Sequence, residues 1–353
     1  MCRATGCTLT RHRLDASPPP TSPAKKGDYP ALDGNAHLRY FRFTMNDNGK
    51  KYQPKFTLQM TLPKFERMFP DEEACKNYLF SRRWPNGVTC PRCHKSETVY
   101  KIALPWKWEC WNAECAKGHA YRFSLIAGTI FENTKYPLRT WFWVLFLMVT
   151  SKKGISALQI HRTIESGSYK TAFYMCHRLR AAMNDPEFRQ LMGIVEVDET
   201  YIGGKDKNRH WDKKKHMKGG WDKTPIVGAI SRKGNVVCQM IERADMPTLH
   251  RFVAQTVSRK VELVATDEHA GYQYLDRWQS LPHQTIRHGQ GEYVRGIVHT
   301  NNIESFWSLL KRGIIGTYHN VSKKYLPLYL AEFTFRFNNR NNPDIFGTAV
   351  SGS

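Results

Sequence analysis

Three acidic residues occupy positions from which carboxylates can bind a metal ion. Asp198 lies in the stretch 194–201, whose alternating β-branched residues predict a strand, and Asp267 follows the apolar run 261–265. Glu304 lies on a segment with helical periodicity. A carboxylate at the exit of a buried strand is unfavourable unless another group compensates its charge. The three acids together therefore predict a metal site.

The third acid belongs to the stretch His299–Gly313, which is predicted to form a helix beginning near Asn302. The helical period places Glu304, Ser308 and Lys311 on one polar face, while the opposite face is apolar and would pack on a core. Taken alone, an acid and a lysine on such a helix usually mark a solvated face. The two upstream acids favour a functional interpretation instead.

Three histidines, His269, His288 and His299, lie near these acids in the sequence. Each of them could orient a substrate or tune a metal ligand. A lone histidine near a strand end is more often a structural residue with its hydrogen bonds satisfied. The predicted catalytic set therefore excludes all three.

Four cysteines predict a structural zinc site of the zinc-ribbon type over residues 88–125. They form two pairs along the chain: Cys90, Cys93, Cys110 and Cys115. Cysteine pairs on two turns between short strands can close a tetrahedral thiolate site. Because four residues separate the second pair, His94 and His119 remain alternative ligands. The competing interpretation is four buried thiols that bind no metal.

A helical region, residues 137–185, is predicted between the cysteines and the first acid. A buried helix precedes two shorter helices with Gly167 in the turn between them, an order typical of a helix-turn-helix. The second of these helices carries basic side chains at its polar positions, which predicts DNA contacts. These positions are Lys170, His177, Arg178 and Arg180, of which the lysine and the two arginines are the DNA-binding candidates. The alternative is an ordinary helical hairpin.

A basic segment between Gly203 and Thr224 is too polar to be part of a core. Tryptophans alternate there with cations, so the segment could meet phosphates and stack on bases. The DNA-binding candidates within it are Lys205, Lys207, Arg209, Lys213, Lys214 and Lys215. For any one of these residues, a solvated loop is an equally good interpretation.

The overall charge indicates a polyanionic partner. The 353-residue chain has a formal net charge of +22 and a pI near 9.7, and cations that neutralise phosphates release counterions. A basic ribosomal or membrane-surface protein is the alternative. No secretory signal is visible, and the longest apolar run, 141–149, is too short to cross a bilayer. We therefore expect a cytoplasmic, nucleoid-associated protein without a membrane partner, whose nine cysteines are thiols or metal ligands.

Shifts in composition divide the chain into six predicted parts. The first is rich in proline and polar residues, which predicts disorder. The stretch 322–340 near the end of the fifth is predicted to be a helix on the core, with Arg336 and Arg340 facing outward. The parts are a disordered basic extension (1–59), a helical lead-in (60–87), the zinc ribbon (88–125), the helical region (137–185), a catalytic domain (193–340) and a tail (341–353).

Residues 193–340 have the order of elements found in a ribonuclease H-like core. Three strands that would pair antiparallel are followed by a helix and a further strand, with acids on the first and fourth strands. The predicted fold class is therefore α/β, an integrase-type ribonuclease H-like core preceded by a zinc ribbon and a helix-turn-helix-like region.

Four motifs resemble those of the Merlin-related insertion-sequence transposases of the ISXO type. They are CPRC at 90–93, VDETYIGGK at 197–205, ATDEH at 265–269 and HTNNIESFWSLLKRG at 299–313. The resemblance covers about residues 60–340 and implies a zinc ribbon, a helical DNA-binding region and a DDE catalytic core. By this resemblance, Asp198, Asp267 and Glu304 are expected to be the catalytic acids, with Lys311 following on the same helical face.

The resemblance implies a DNA transposase that binds insertion-sequence ends and catalyses metal-dependent strand cleavage and strand transfer. Hard carboxylate oxygens suit Mg²⁺ or Mn²⁺. Asp198 is expected to bridge two ions, with Asp267 and Glu304 each binding one and Lys311 contacting a phosphate. The expected partners are double-stranded DNA, as element ends and target, and further copies of the chain. Two alternatives remain: a zinc-containing DNA-binding regulator without catalysis, and a ribonuclease H-like nuclease or resolvase.

Overall fold

The computed structural model describes residues 60–183, 189–204 and 223–352. These residues form a mixed α/β structure with one three-stranded and one five-stranded sheet. Among the helices of these segments, none has both the length and the apolar character needed to cross a membrane. The predicted extension 1–59 lies outside the described residues.

Two short helices open the described chain, α1 (Leu62–Met68) and α2 (Glu72–Arg83). The side chains of Thr61 and Asp71 accept hydrogen bonds from backbone N–H groups of the first turns, so both helices begin at a polar cap. The apolar side of α1 contributes Phe65, which is fully buried among aromatic rings of later helices. The lead-in is therefore part of a core rather than a linker.

The zinc-ribbon region forms a small antiparallel sheet. Its strands β1 (Val99–Lys101), β2 (Lys107–Cys110) and β3 (Tyr121–Ser124) pair in the order β1-β2-β3. Trp108 and Phe123 stack on the side of this sheet that faces α2, with ring centroids 6.1 Å apart. The ribbon thus shares its apolar core with the N-terminal helices.

The helical region contains α3 (Leu138–Thr150), α4 (Ala157–Thr163) and α5 (Tyr169–Ala182). Ser156 and Ser168 cap α4 and α5, each accepting a hydrogen bond from the backbone N–H three residues later. These serine caps stabilise the first turns of α4 and α5, which explains why each helix begins directly after a serine. The described part of the region has the order helix, turn, helix that the sequence predicts.

The second sheet contains β4 (Ile194–Ile202), β5 (Thr224–Ser231), β6 (Val236–Met240), β7 (Leu263–Thr266) and β8 (His283–Thr285). The strand order is β6-β5-β4-β7-β8, with the first three antiparallel and with β4, β7 and β8 parallel. This topology is that of a ribonuclease H-like fold, which confirms the predicted fold class.

Helices cover both faces of this sheet. On one face, α6 (Met246–Thr256) packs over alternate residues of β4 and β5, such as Val197. On the other face, α8 (Asn301–Gly313) and α9 (Leu326–Asn338) bury Phe306 and Phe333. The 3₁₀ turn 270–272 and a short helix, α7 (Leu275–Gln279), follow β7.

The prediction that Arg180 faces DNA is wrong. Its side chain is 1% exposed, and its Nε lies 2.7 Å from Oε2 of the fully buried Glu332. His177 is also buried and stacks on Tyr325. Arg336, predicted to face outward, contacts the same carboxylate at 3.3 Å. Helix α9 covers this side of α5, and no local pattern in α5 reveals that cover.

The segment predicted only as a tail, residues 341–353, contains a helix. Residues Ile345–Ser351 form α10, with Asp344 accepting a hydrogen bond from the backbone N–H of Gly347. The ring of Phe346 lies among Phe65, Phe69 and other aromatic side chains of the N-terminal core. The segment folds because its apolar residues complete that core.

Candidate catalytic cleft and metal centres

Asp198, in the middle of β4, and Asp267, directly after β7, meet just beyond the point where the parallel pairing of these two strands ends. The register pairs Glu196 of β4 with Ala265 of β7, so the two aspartates, each two residues further on, come side by side. Together with Glu199 they form a group in which one carboxylate oxygen from each residue lies within 4.8 Å of the other two. Two predicted site residues are therefore brought together, and one unpredicted acid joins them.

The electrostatics of this group favour a bound cation. Burial, then the neighbouring charges of Asp267 and Glu199, raise the pKa of Asp198 to about 8. Burial and Asp267 also raise the pKa of Glu199. These shifts measure how unfavourable three negative charges are in a part-buried site without a counter-charge. A divalent cation that prefers oxygen ligands, such as Mg²⁺ or Mn²⁺, fits this donor set.

Sequence reasoning missed Glu199 because the alternation of a strand puts it on the opposite face from Asp198. Beyond the last residue pair with β7, however, its carboxylate reaches the group and accepts a hydrogen bond of 2.9 Å from the hydroxyl of Tyr272. His269 Nε2 lies 3.8 Å from the other carboxylate oxygen. The adjacent acids in the segment VDET were the available signal.

Glu304 lies on α8 in the same cleft but outside the three-carboxylate group. Its Oε1 accepts a hydrogen bond of 2.7 Å from the Thr300 hydroxyl and lies 3.5 Å from His288 Nε2. The side chain is 49% exposed, so it can move toward a substrate or ion without breaking a buried contact. The predicted third acid is thus at the cleft but not at the position where carboxylates converge.

The cleft has a volume of about 660 Å³ and combines acids at its base with cations on its walls. Ser308 and Lys311 line it from the helical face that carries Glu304, as the periodicity of α8 predicts. Arg312 and Lys153 add positive charge, and the latter comes from the connection between α3 and α4. Nothing in the sequence around Lys153 distinguishes it from other surface lysines.

Helix α8 is fixed to the sheet by a buried carboxylate that sequence reasoning missed. Glu196, fully buried on β4, accepts hydrogen bonds from the backbone N–H groups of Asn302 (2.8 Å) and Ile303 (3.1 Å) in the first turn of α8. Arg232 Nε donates to the same carboxylate at 2.9 Å, and His299 Nδ1 lies 3.2 Å away. A carboxylate at a helix N-terminus accepts hydrogen bonds from backbone N–H groups that have no acceptor within the helix. Its negative charge also interacts favourably with the helix dipole.

The four predicted cysteines come together as a second candidate metal centre. Their sulfur atoms all lie within 4.8 Å of one another, and the pairs Cys90–Cys115 and Cys93–Cys110 are each 3.8 Å apart. A tetrahedron with Zn–S bonds of about 2.3 Å has edges of about 3.8 Å. The cysteines therefore fit a structural zinc ion, and His94 and His119 are not part of the group formed by the described residues.

Loss of this centre is expected to unfold the ribbon. A structural zinc ion contributes an apparent 10–16 kcal/mol in small zinc domains, and the Trp84 and Trp108 rings, 5.1 Å apart, pack beside the cysteines. We expect a Cys90→Ser, Cys110→Ser double variant to lose its zinc, measured as metal per chain, together with its near-ultraviolet circular dichroism from these rings. Cys238→Ala, which removes a thiol elsewhere, should keep both. Full zinc content in the double variant would contradict the four-cysteine site.

The remaining predicted DNA-binding residues fall into three groups. Lys170 is exposed near the start of α5. Arg178 is part-buried and donates a hydrogen bond of 2.8 Å to the backbone carbonyl of Glu132. The third group lies outside the described residues: Lys205, Lys207, Arg209, Lys213, Lys214 and Lys215.

Comparison with known proteins identifies two parts of the chain. Residues 190–338 match the model of the ISXO2-like transposase domain, and residues 70–118 match that of the transposase zinc-ribbon domain. An uncharacterized protein in transposable element ISH50 of Halobacterium salinarum is 28% identical over 279 residues, which span 76% of this chain and 92% of that protein. A chain in a simian T-cell lymphotropic virus intasome bound to the B56 gamma subunit of PP2A aligns with 50% of this chain and 67% of its own, at 14% identity and a TM-score of 0.25.

Proposed function

We propose that this chain, a member of the ISXO2-like transposase family, cuts and joins DNA strands in the cleft between β4, β7 and α8. The chain is a DNA transposase by its two matching domains. The observation that carries the assignment of the cleft is the convergence of three carboxylates, two on β4 and one directly after β7, together with the predicted acid and lysine of α8 in the cleft lining.

The acids divide into two sets in this proposal. Asp198 and Asp267 bind the divalent cation directly, and Glu199 is within reach as a further ligand. Glu304 lines the same cleft as Asp198 and Glu199 and would supply a further ligand for the cation. Bound at these acids, Mg²⁺ or Mn²⁺ would activate the attacking oxygen and stabilise the leaving oxygen of an in-line displacement at phosphorus.

The cations of the cleft bind the DNA backbone. Lys311 and Arg312 lie one helical turn or more beyond Glu304 on α8, so they meet phosphates next to the one that reacts. Lys153 contributes from the connection between α3 and α4, which packs on the end of α8 and links the helical region to the cleft. These point charges position the strand without reading its sequence. Sequence-specific recognition of the ends is left to α5, where Lys170 is exposed.

The proposal includes more than one copy of the chain. Joining an element to a target requires that two ends be handled together, and each cleft described here can accept one scissile phosphate at a time. The expected complex is therefore a homo-oligomer assembled on double-stranded DNA, acting at the nucleoid in the cytoplasm. The net charge of +22 supports such an assembly, because it favours binding to DNA over self-association in its absence.

Purified protein is expected to nick a DNA fragment that carries the element's own ends and to join the freed 3′-hydroxyl to a second duplex, in both cases only with Mg²⁺ or Mn²⁺. Gel analysis of end-labelled strands measures both steps. Ca²⁺ at the same concentration is the matched control, since it binds oxygen ligands but with longer and less regular coordination.

The possible outcomes separate the proposal from its competitors. Cleavage without joining would make the protein a nuclease or resolvase. Binding of the ends without cleavage in Mg²⁺ or Mn²⁺ would make it a DNA-binding regulator. Cleavage that continues in excess chelator would contradict the metal-dependent site.

A further inference from the structure

Two contacts hold strand β4 against helix α8, and their spacing along the strand matches their spacing along the helix. At the first point, Glu196 accepts the backbone N–H groups of Asn302 and Ile303. At the second, Asp198 Oδ2 accepts a hydrogen bond of 3.0 Å from Trp307 Nε1. Two strand residues span about 6.6–6.8 Å and four or five helical residues about 6–7.5 Å, so both contacts form without bending either element.

The second contact requires a glycine in the neighbouring strand. Gly228 of β5 lies directly opposite Asp198 in the sheet register. A Cβ atom at Gly228 would lie 2.6 Å from Cη2 and 2.7 Å from Cζ2 of Trp307. These atoms belong to a rigid ring that is 3% exposed, so the ring would have to move as a whole. The absent side chain therefore leaves the space in which the indole reaches Asp198.

Each carboxylate oxygen of Asp198 accepts one hydrogen bond. Oδ1 accepts the backbone N–H of Glu199 at 2.8 Å, and Oδ2 accepts the indole N–H. The indole nitrogen is a donor only, so the contact specifies one orientation of the carboxylate. Each oxygen keeps a further lone pair for a cation, and one of the two oxygens lies within 4.8 Å of a carboxylate oxygen of Asp267.

We infer that Trp307 is a positioning residue that holds the Asp198 carboxylate in the orientation in which it binds the divalent cation. This inference rests on the proposed function, because it assigns the cation to Asp198. It differs from a packing role, which any ring of similar size would perform. Outer-shell partners of this kind change metal affinity by about 10–100-fold when removed.

The test is Trp307→Phe, which keeps a ring over Gly228 and removes the N–H donor. We expect the Mn²⁺ dissociation constant of the zinc-loaded protein, measured from free Mn²⁺ by electron paramagnetic resonance, to rise about 10–100-fold. Strand cleavage should fall at low Mg²⁺ and recover substantially at high Mg²⁺, because the ligands themselves remain. Trp278→Phe removes an indole that is 65% exposed and should change neither quantity.

A second variant perturbs the contact between Trp307 and Asp198 from the neighbouring strand β5. Gly228→Ala keeps the indole but displaces it, so it should weaken Mn²⁺ binding in the wild-type background. In the Trp307→Phe background the added methyl group meets a smaller ring and no donor remains to be lost. The two substitutions are therefore expected to be strongly non-additive in Mn²⁺ affinity.

The outcomes separate this inference from the proposed function. If Asp198→Asn leaves Mn²⁺ affinity unchanged, the cation site itself is misassigned. If Asp198→Asn abolishes Mn²⁺ binding while folded Trp307→Phe binds Mn²⁺ as the wild type does, only the role of Trp307 is overturned. A fall in thermal stability of Trp307→Phe without a change in Mn²⁺ affinity would likewise assign Trp307 to packing alone.

Discussion

Asp198→Asn is expected to lower the rate of Mg²⁺-dependent strand cleavage by roughly 10²–10³-fold or more. The substitution keeps the size of the side chain and removes one negative charge from the group formed with Glu199 and Asp267. Metal-ion catalysis supplies several kcal/mol of transition-state stabilisation, and each 1.4 kcal/mol or so is a factor of ten in rate. Single-turnover cleavage of a labelled end fragment at saturating protein measures the loss.

Binding of the uncut end fragment should survive in this variant, because the phosphate-binding cations of the cleft and of α5 are unchanged. Fluorescence anisotropy of a labelled duplex checks this expectation. Asp276→Asn, an exposed aspartate on α7, is the matched control and should cleave as the wild type does. Normal cleavage by Asp198→Asn would contradict the assignment of this cleft as the active site.

Glu332→Gln is expected to lower the free energy of unfolding by about 3–5 kcal/mol, the cost of breaking a buried ion pair from one side. Glu332 is fully buried and accepts from Arg180 at 2.7 Å and from the Tyr318 hydroxyl at 3.0 Å. Arg336 completes the pairing at 3.3 Å. The variant leaves two buried guanidinium groups without a counter-charge. Urea denaturation followed by circular dichroism measures the change.

The pH dependence of this effect has a defined sign. Burial acts to raise the pKa of Glu332, but Arg180 and Arg336 outweigh it and hold the pKa below its ordinary value of 4.5. A carboxylate with a depressed pKa stabilises the folded state above its unfolded pKa and loses that contribution as the pH falls. The difference between wild type and Glu332→Gln should therefore be largest near neutral pH and shrink below about pH 4.5.

An exposed ion pair provides the control for Glu332. Glu66 lies 2.7 Å from Arg139, but their side chains are 44% and 33% exposed. Water screens such a pair, so Glu66→Gln should cost less than about 1 kcal/mol. If the two variants lost the same amount of stability, the buried network would not be the link between α5 and α9 that its geometry indicates.

The sequence predicted the parts of the site that depend on strand order. Asp198 lies within β4 and Asp267 directly follows β7, and the parallel pairing of these strands brings the two residues side by side. Local periodicity likewise predicted that Glu304 and Lys311 share a face of α8. These features require only the period of each element and the topology of the sheet. Their catalytic roles remain predictions that the variants above test.

Three of the features that sequence reasoning missed depend on contacts between distant segments. Arg180 has the spacing of an exposed cation, but its partner Glu332 lies 152 residues away. Glu196 is an acid within an apolar strand. Its role becomes apparent only from the hydrogen bond that it accepts from the first turn of α8. Lys153 reaches the cleft because its loop packs on α8 at Gly313. Periodicity predicts which residues share a face of a helix or strand, but it does not predict which other element packs on that face.

Helix α10 was missed for a different reason, since its signal was local. Asp344 precedes apolar residues at helical spacing, including Phe346 and Val350, but the segment is short and follows a polar stretch. A short helix gains little from its own hydrogen bonds, so its formation is decided by the surface on which it packs. That surface is formed by α2 and α3.

This arrangement has a consequence for biosynthesis. The ribosome makes the aromatic cluster around Phe65 and Phe142 early, but Phe346, which closes that cluster, emerges only after the whole catalytic domain has been translated. A nascent chain that ends before Ile345 lacks the ring that closes this cluster, so apolar surface of the N-terminal core is expected to stay exposed until α10 is made.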